Sequence, residues 1–92
     1  MKEIYCENLG DFVTPKLVSG SHNKTKLIFI CKNSGELVDD LCIDYKQGSS
    51  ETFYINCPKY NWLYLFLLNN KIAYPTYNCI VVDNNVYEEF YI

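Results

Sequence analysis

The chain has 92 residues, enough for one hydrophobic core but too few for a two-domain enzyme, because chains of this size bury only about two thirds of their unfolded surface. It carries 8 lysines, no arginine and 11 acidic residues, for a net charge of -3, so it lacks the guanidinium groups that bind phosphates and guanine edges. We therefore expect a single domain over residues 1–92 that binds no nucleic acid. The longest apolar run, residues 62–68, is far shorter than the about 20 residues that span a membrane.

The first half of the chain predicts antiparallel strands. Residues 3–18 predict one or two short strands, broken near Gly10 and Pro15. Residues 25–32 are rich in β-branched and aromatic side chains, and a turn cluster at 33–35 joins them to residues 36–45, which alternate with period 2. These two runs predict a hairpin with Asp40 and Asp44 on one side and Asp39 interrupting the apolar side. A break at 48–50 and a third strand at 51–55 complete a predicted meander.

The second half predicts one helix and two more strands. Asn56 and Pro58 are typical of a helix start, and Asn69 with Asn70, which tolerates the left-handed conformation, is typical of a helix end. The helix is therefore predicted over residues 58–69. Strands follow at 77–82 and 86–92, joined by a hairpin turn at 83–85. The predicted fold is α+β, an antiparallel sheet of about five or six strands with the helix packed on one face.

No pattern in the sequence predicts a catalytic residue, a metal site or a cofactor. The single histidine, His22, lies in a polar loop, and no phosphate-binding glycine pattern occurs. Asp39, Asp40 and Asp44 lack the spacing of a calcium-binding loop. The five cysteines form no C-x-x-C pair, which favours buried reduced thiols over disulfides or a zinc site. The first residues have no apolar segment or cleavage site of a secretory signal, so we expect a cytoplasmic protein. The cysteines are Cys6, Cys31, Cys42, Cys57 and Cys79.

Aromatic and acidic residues are the candidate binding groups. Nine tyrosines, five phenylalanines and one tryptophan exceed what a small core easily encloses, so we expect Tyr60, Trp62 and Tyr64 of the all-apolar helix to contact a partner protein or a second copy in a homodimer. The alternative is that strands and loops cover this helix. Charge suggests a second surface, a carboxylate stripe that competes with nucleic acid for a basic groove on a partner, with a solvated acidic face as the alternative. The stripe comprises Asp39, Asp40, Asp44, Glu88 and Glu89.

Part of the chain resembles a family of small uncharacterised proteins from plasmids and mobile elements of Firmicutes and Bacteroidetes. The matching pieces are Asn56-Cys57-Pro58, the helix that follows, residues 72–76, and Tyr87-Glu88-Glu89-Phe90, whereas the glycine that the family has after its Pro-Thr pair is Tyr77 here. In style the chain also resembles the inhibitors that phages and mobile elements use against host defence, including anti-CRISPR proteins. This resemblance implies a non-enzymatic inhibitor of a host protein, such as a nuclease complex. The alternative is a structural or regulatory homo-oligomer of viral or plasmid origin.

Overall fold

A computed structural model describes residues 2–19, 24–45 and 51–92 of the chain. The predicted break at 48–50 and His22 lie outside these ranges. Over the described residues the chain forms one helix and eight strands, which confirms the α+β class. In chain order the elements are β1 (Ile4–Cys6), β2 (Asp11–Ser19), β3 (Thr25–Cys31), β4 (Leu37–Val38), β5 (Cys42–Ile43), β6 (Thr52–Ile55), α1 (Leu63–Asn69), β7 (Tyr74–Val82) and β8 (Asn85–Tyr91).

The strands form two antiparallel sheets, so the prediction of one sheet with five or six strands is wrong. The first sheet has the order β1-β2-β3-β4 and the second has the order β5-β6-β8-β7. The segment predicted as one strand over 36–45 is divided between them, because β4 pairs with β3 whereas β5 pairs with β6. Leu41 is fully buried between these two short strands, and the carbonyl of Asp39 accepts a hydrogen bond from the Lys26 ammonium. The chain thus crosses from one sheet to the other at residues 39–41.

Gly10 and Pro15 have different roles in the first sheet. Gly10 has a φ of 67° in the turn between β1 and β2, and its amide donates to the Cys6 carbonyl at 2.9 Å, as expected for a break at this position. Pro15 lies inside β2, opposite Phe29 of β3, so the predicted break there is wrong. The β1 ladder ends at Val13, so no described strand pairs with that side of β2 at Pro15. Proline has no amide hydrogen, and at this position no ladder hydrogen bond is lost.

The core lies where the two sheets and the helix meet. Phe29 of the first sheet and Phe53 and Phe90 of the second are almost wholly buried, together with Leu63 and Leu67 of α1. The helix also places the Phe66 ring 5.7 Å from that of Phe29 and the Tyr64 ring 5.0 Å from that of Phe90, both in edge geometry. The helix therefore contacts both sheets rather than covering one face of a single sheet.

The helix begins at Leu63, five residues later than the predicted start at Pro58. Asn56 is not its cap, because the Asn56 side-chain amide donates to the Asp40 carbonyl at 3.1 Å. The helix end is also built differently from the prediction. Asn70 has a φ of -94°, and Lys71 adopts the left-handed conformation with a φ of 55°. The amides of Lys71 and Ile72 donate to the carbonyls of Leu68 and Leu67, which is the Schellman pattern of helix termination.

Candidate binding surface

A wide bulge interrupts the pairing of β7 with β8. Pro75 lies opposite Phe90 and Cys79 lies opposite Glu88, so three residues of β7, residues 76–78, face the single residue Glu89. Tyr77 at the centre of the bulge has a φ of 69°, a conformation that costs a residue with a Cβ atom about 1–2 kcal/mol. Backbone strain of this kind persists only where surrounding contacts hold it.

The Glu89 carboxylate supplies those contacts. Glu89 is only 6% exposed. Its carboxylate accepts hydrogen bonds from the Thr76 hydroxyl at 2.7 Å and from the side-chain amide of Asn78 at 3.4 Å, and these two residues flank Tyr77. The Thr52 hydroxyl donates to the other carboxylate oxygen at 3.1 Å, and Tyr54 contributes a further hydrogen bond. Burial alone would raise the pKa of Glu89, but these hydrogen bonds hold the pKa below its usual value. Glu89 is therefore an ionised anchor of the bulge.

The bulge places the Tyr77 side chain in solvent, where 83% of it is exposed. This is the highest exposure among the large apolar and aromatic side chains of the described residues. A tyrosine offers a large contact area with little rotamer entropy, which is why tyrosine is frequent at interface hot spots. Holding such a ring in solvent on a strained backbone contributes nothing to the core, so Tyr77 is a candidate contact residue.

Tyr77 belongs to a larger exposed surface on one face of the β7–β8 hairpin. Val81 lies directly opposite Val86, and both share with Glu88 and Phe90 the face that is turned toward the core. Phe90 is buried, but the hairpin extends beyond the core, so Val81 is 67% exposed and Val86 is 47% exposed. Tyr64 of the helix packs on Phe90, which shares this face of the hairpin with Val86. Burial raises the pKa of Tyr64, and the proximity of Tyr77 and Glu88 raises it further. We call this surface, made of Tyr64, Tyr77, Val81, Val86 and Glu88, the hairpin patch.

Tyr60 and Trp62 lie in a second cluster, which precedes the helix. The Asp40 carboxylate accepts hydrogen bonds from the Lys59 ammonium and the Tyr60 hydroxyl. The Tyr60 ring contacts Trp62, and Trp62 contacts Phe66, each with ring centres less than 6 Å apart and in edge geometry. The hydrogen bonds from Lys59 and Tyr60 lower the pKa of Asp40. Asp40 and the half-buried Tyr60 and Trp62 thus hold residues 56–62 against the core.

The predicted carboxylates do not form one stripe on neighbouring strands. β6 lies between β5 and β8, which separates Asp44 from Glu88 and Glu89. Asp39 and Asp40 lie at the crossing between the sheets rather than on a hairpin strand. Adjacent strand residues point to opposite faces, and consequently Glu89 points away from the face that carries Glu88. Of the eight predicted site residues, the structure brings only Tyr64 and Glu88 together in the hairpin patch.

Three members of the patch, Tyr77, Val81 and Val86, were not among the predicted site residues. Val81 and Val86 resemble ordinary core-facing strand residues in the sequence, and only the length of the hairpin beyond the core exposes them. One sequence signal for Tyr77 was available. The resemblance noted above places a glycine at this position, and glycine is the residue that most readily adopts a positive φ.

The five cysteines form no disulfide in the structure, and Cys6, Cys31 and Cys42 are buried as predicted. Cys57 is only half-buried and Cys79 is exposed, so the prediction of buried thiols is wrong for these two. Burial raises the pKa of the Cys42 thiol to about 12, whereas Cys79 on β7 is exposed. Within residues 2–19, 24–45 and 51–92, no three histidine, cysteine or acidic side chains are placed to hold a metal ion. No helix in this part of the chain is long and apolar enough to cross a membrane.

No protein-family model matches this chain, and comparison with curated proteins and with solved structures gives no match. The resemblance to small proteins of mobile elements therefore stays a prediction.

Proposed function

We propose that this chain is a small non-enzymatic inhibitor, encoded by a phage or mobile element, that binds a host defence protein in the host cytoplasm through the hairpin patch. The observation that carries the proposal is Tyr77, an exposed aromatic side chain held on a strained bulge by the buried Glu89 carboxylate. Such a rigid aromatic side chain loses little entropy on binding, because its backbone is already ordered in the free protein.

The composition of the patch indicates the chemistry of the partner. Tyr64, Tyr77, Val81 and Val86 offer apolar and aromatic area, and Glu88 supplies one carboxylate at the same surface. A complementary site would be an apolar groove with a lysine or arginine at its rim. We propose that the host target, for example a protein of a nuclease complex, carries such a groove on its surface.

Affinity capture with matched variants tests this proposal. Tagged wild-type chain, Tyr77→Ser and Tyr5→Ser are each expressed in the native host, and the captured proteins are identified by mass spectrometry. Tyr5 is the control, because it is also an exposed tyrosine, 53% accessible, but it lies on β1 of the other sheet. We expect one host protein to be captured by wild type and Tyr5→Ser and to be lost with Tyr77→Ser. Equal capture by all three would contradict a role for the patch.

The inhibitory part of the proposal needs a separate assay. The captured host protein, purified without this chain, is assayed for its own activity as wild-type chain is added. We expect activity to fall with wild type and Tyr5→Ser and to persist with Tyr77→Ser. Binding without any loss of activity would refute inhibition while leaving the binding surface intact.

A second candidate function is a structural or regulatory homo-oligomer. One observation favours it, namely that β7 lies at the edge of the second sheet and pairs only with β8 among the described strands.

A further inference from the structure

We propose that two copies of the chain join through the free edge of β7 and form one continuous antiparallel sheet. This inference deepens the second candidate function, the homo-oligomer, and is independent of the proposed inhibitor role, because it uses the main-chain edge of the hairpin rather than the side chains of the patch. The other outer strands of the described sheets, β1, β4 and β5, have only 3, 2 and 2 residues, whereas β7 has 9. The part of β2 beyond the β1 ladder, residues 14–19, is also open on one side, but it contains Pro15 and Lys16. Residues 79–82, the regular part of β7 beyond its bulge, therefore form the open edge best suited to pairing.

Residues 79–82, the part of β7 beyond the bulge, lack the features that protect an edge strand from pairing, whereas Pro75 and the bulge protect the first half of this edge. Exposed edges usually carry lysines or other charges that repel an added strand. Residues 74–82 contain no charged side chain, although the whole chain has 8 lysines and 11 acidic residues. When a strand pairs with its own copy, every charge would meet a like charge nearby, so an uncharged strand suits self-pairing. The chemistry of the edge therefore favours a second copy as the occupant.

The hairpin turn determines which residues of β7 have main-chain groups free at the edge. Asp83 and Asn84 both have positive φ values and form a two-residue turn, which requires the flanking pair, Val82 and Asn85, to exchange hydrogen bonds. Pairs alternate along an antiparallel ladder, so Val81 is in a non-hydrogen-bonded pair with β8, and Cys79 is as well. The amide and carbonyl groups of Val81 and Cys79 consequently point to the free edge.

These constraints select one register for the pair. A two-fold axis perpendicular to the sheet keeps equivalent faces together, so one residue must lie opposite the same residue of the second copy, with the axis midway between them. With the axis at Ile80, Cys79 lies opposite Val81 of the second copy, and both residues exchange hydrogen bonds. With the axis at Val81, Cys79 would instead face Asp83, whose φ of 51° excludes it from a ladder. The Ile80 register also leaves the bulge intact and places the two hairpin patches on the same face of the joined sheet.

Sedimentation equilibrium of the full chain tests the assembly. Val81→Pro removes an amide that points to the free edge and that β8 does not use, whereas the control Val81→Ala keeps this amide. We expect wild type and Val81→Ala to be dimers and Val81→Pro to be a monomer, with circular dichroism used to check folding. A monomeric wild type at every concentration, or a Val81→Pro variant that is folded and as dimeric as Val81→Ala, would overturn the proposal.

Disulfide trapping tests the register without a proline. In a Cys79→Ser background, Ile80→Cys places two cysteines directly opposite each other at the axis, in a non-hydrogen-bonded pair whose side chains are close. Val81→Cys in the same background places its thiol opposite a serine. We expect mild oxidation to cross-link Ile80→Cys and not Val81→Cys. Cross-linking of Val81→Cys alone, or of neither variant, would refute the register proposed here.

Discussion

Replacing Glu89 by glutamine should destabilise the fold, because the buried carboxylate holds the bulge of β7. Glutamine has nearly the same shape but no charge, so the hydrogen bonds from Thr52, Thr76 and Asn78 lose their charge-assisted part. Hydrogen bonds to charged groups contribute about 1.5–3 kcal/mol and neutral ones about 1 kcal/mol, so the three bonds together lose roughly 1.5–6 kcal/mol. In a domain of this size, even the lower limit of that loss lowers Tm by about 6–12 °C.

Thermal denaturation at neutral pH, followed by circular dichroism, measures this effect against a matched control. Glu88→Gln changes the adjacent carboxylate, which is partly exposed on the other face of the same strand, and a surface change of this kind alters stability by only about 0.5 kcal/mol. We expect Glu89→Gln to have a much lower Tm than both wild type and Glu88→Gln. A Tm for Glu89→Gln equal to that of Glu88→Gln would refute the anchoring role.

The pH dependence of stability independently tests whether Glu89 is ionised in the folded chain. The pKa of Glu89 is lower in the folded chain than in the unfolded chain, so its ionised form stabilises the fold fully above the ordinary glutamate pKa. This stabilisation is lost as the pH falls through the lower pKa of the folded state. The difference in Tm between wild type and Glu89→Gln should therefore shrink in acid. A gap that widens as the pH falls would contradict an ionised Glu89.

Three further predictions concern other parts of the structure. Tyr77→Gly should raise the free energy of unfolding by about 1 kcal/mol in chemical denaturation, because glycine relieves the strain of the positive φ. The control Tyr74→Gly, outside the bulge, should lower the free energy of unfolding. A loss of stability with Tyr77→Gly would contradict backbone strain at this position. Alkylation of the native chain, followed by peptide mapping, should show that the exposed Cys79 is modified before any other described thiol. Labelling of a buried cysteine first would contradict the burial of that cysteine in the structure. Asp40→Asn should lower the free energy of unfolding by about 0.5 kcal/mol at neutral pH, and this effect should be lost in acid because the pKa of Asp40 is lowered in the folded chain. The control Asp39→Asn should leave stability unchanged. Equal urea midpoints for the two variants would argue against the ion pair between Asp40 and Lys59.

Local patterns predicted the elements whose limits depend on nearby residues. The strands β3 and β6 and the β7–β8 hairpin were located by their β-branched and aromatic residues and by their turns. The strand predicted over 36–45 failed because its division depends on which distant strand pairs with each half. Alternation alone made residues 36–45 look continuous, and nothing within those residues specifies that β4 pairs with β3 and β5 pairs with β6.

The candidate site was predictable only in part, for two physical reasons. Alternation in a strand places Glu88 and Glu89 on opposite faces, but it does not say which one is buried; this depends on Thr52 and Thr76, which are distant in the sequence. The bulge adds residues to β7 without changing its strand-like composition, so Tyr77 resembled an ordinary strand residue. Tyr60, Trp62 and Tyr64 are all only partly enclosed, as their aromatic excess predicted, whereas their contact with a partner stays a prediction.

Binding of the captured host protein by purified wild type, Tyr77→Ser and Tyr5→Ser most directly tests the proposal that the hairpin patch is the binding surface. A contact residue at the centre of an interface contributes about 2 kcal/mol or more, which corresponds to a Kd at least about 30 times higher for Tyr77→Ser than for wild type. The Kd of Tyr5→Ser should stay within about twofold of wild type, as surface changes outside an interface do. Equal Kd values for Tyr77→Ser and wild type would contradict the account.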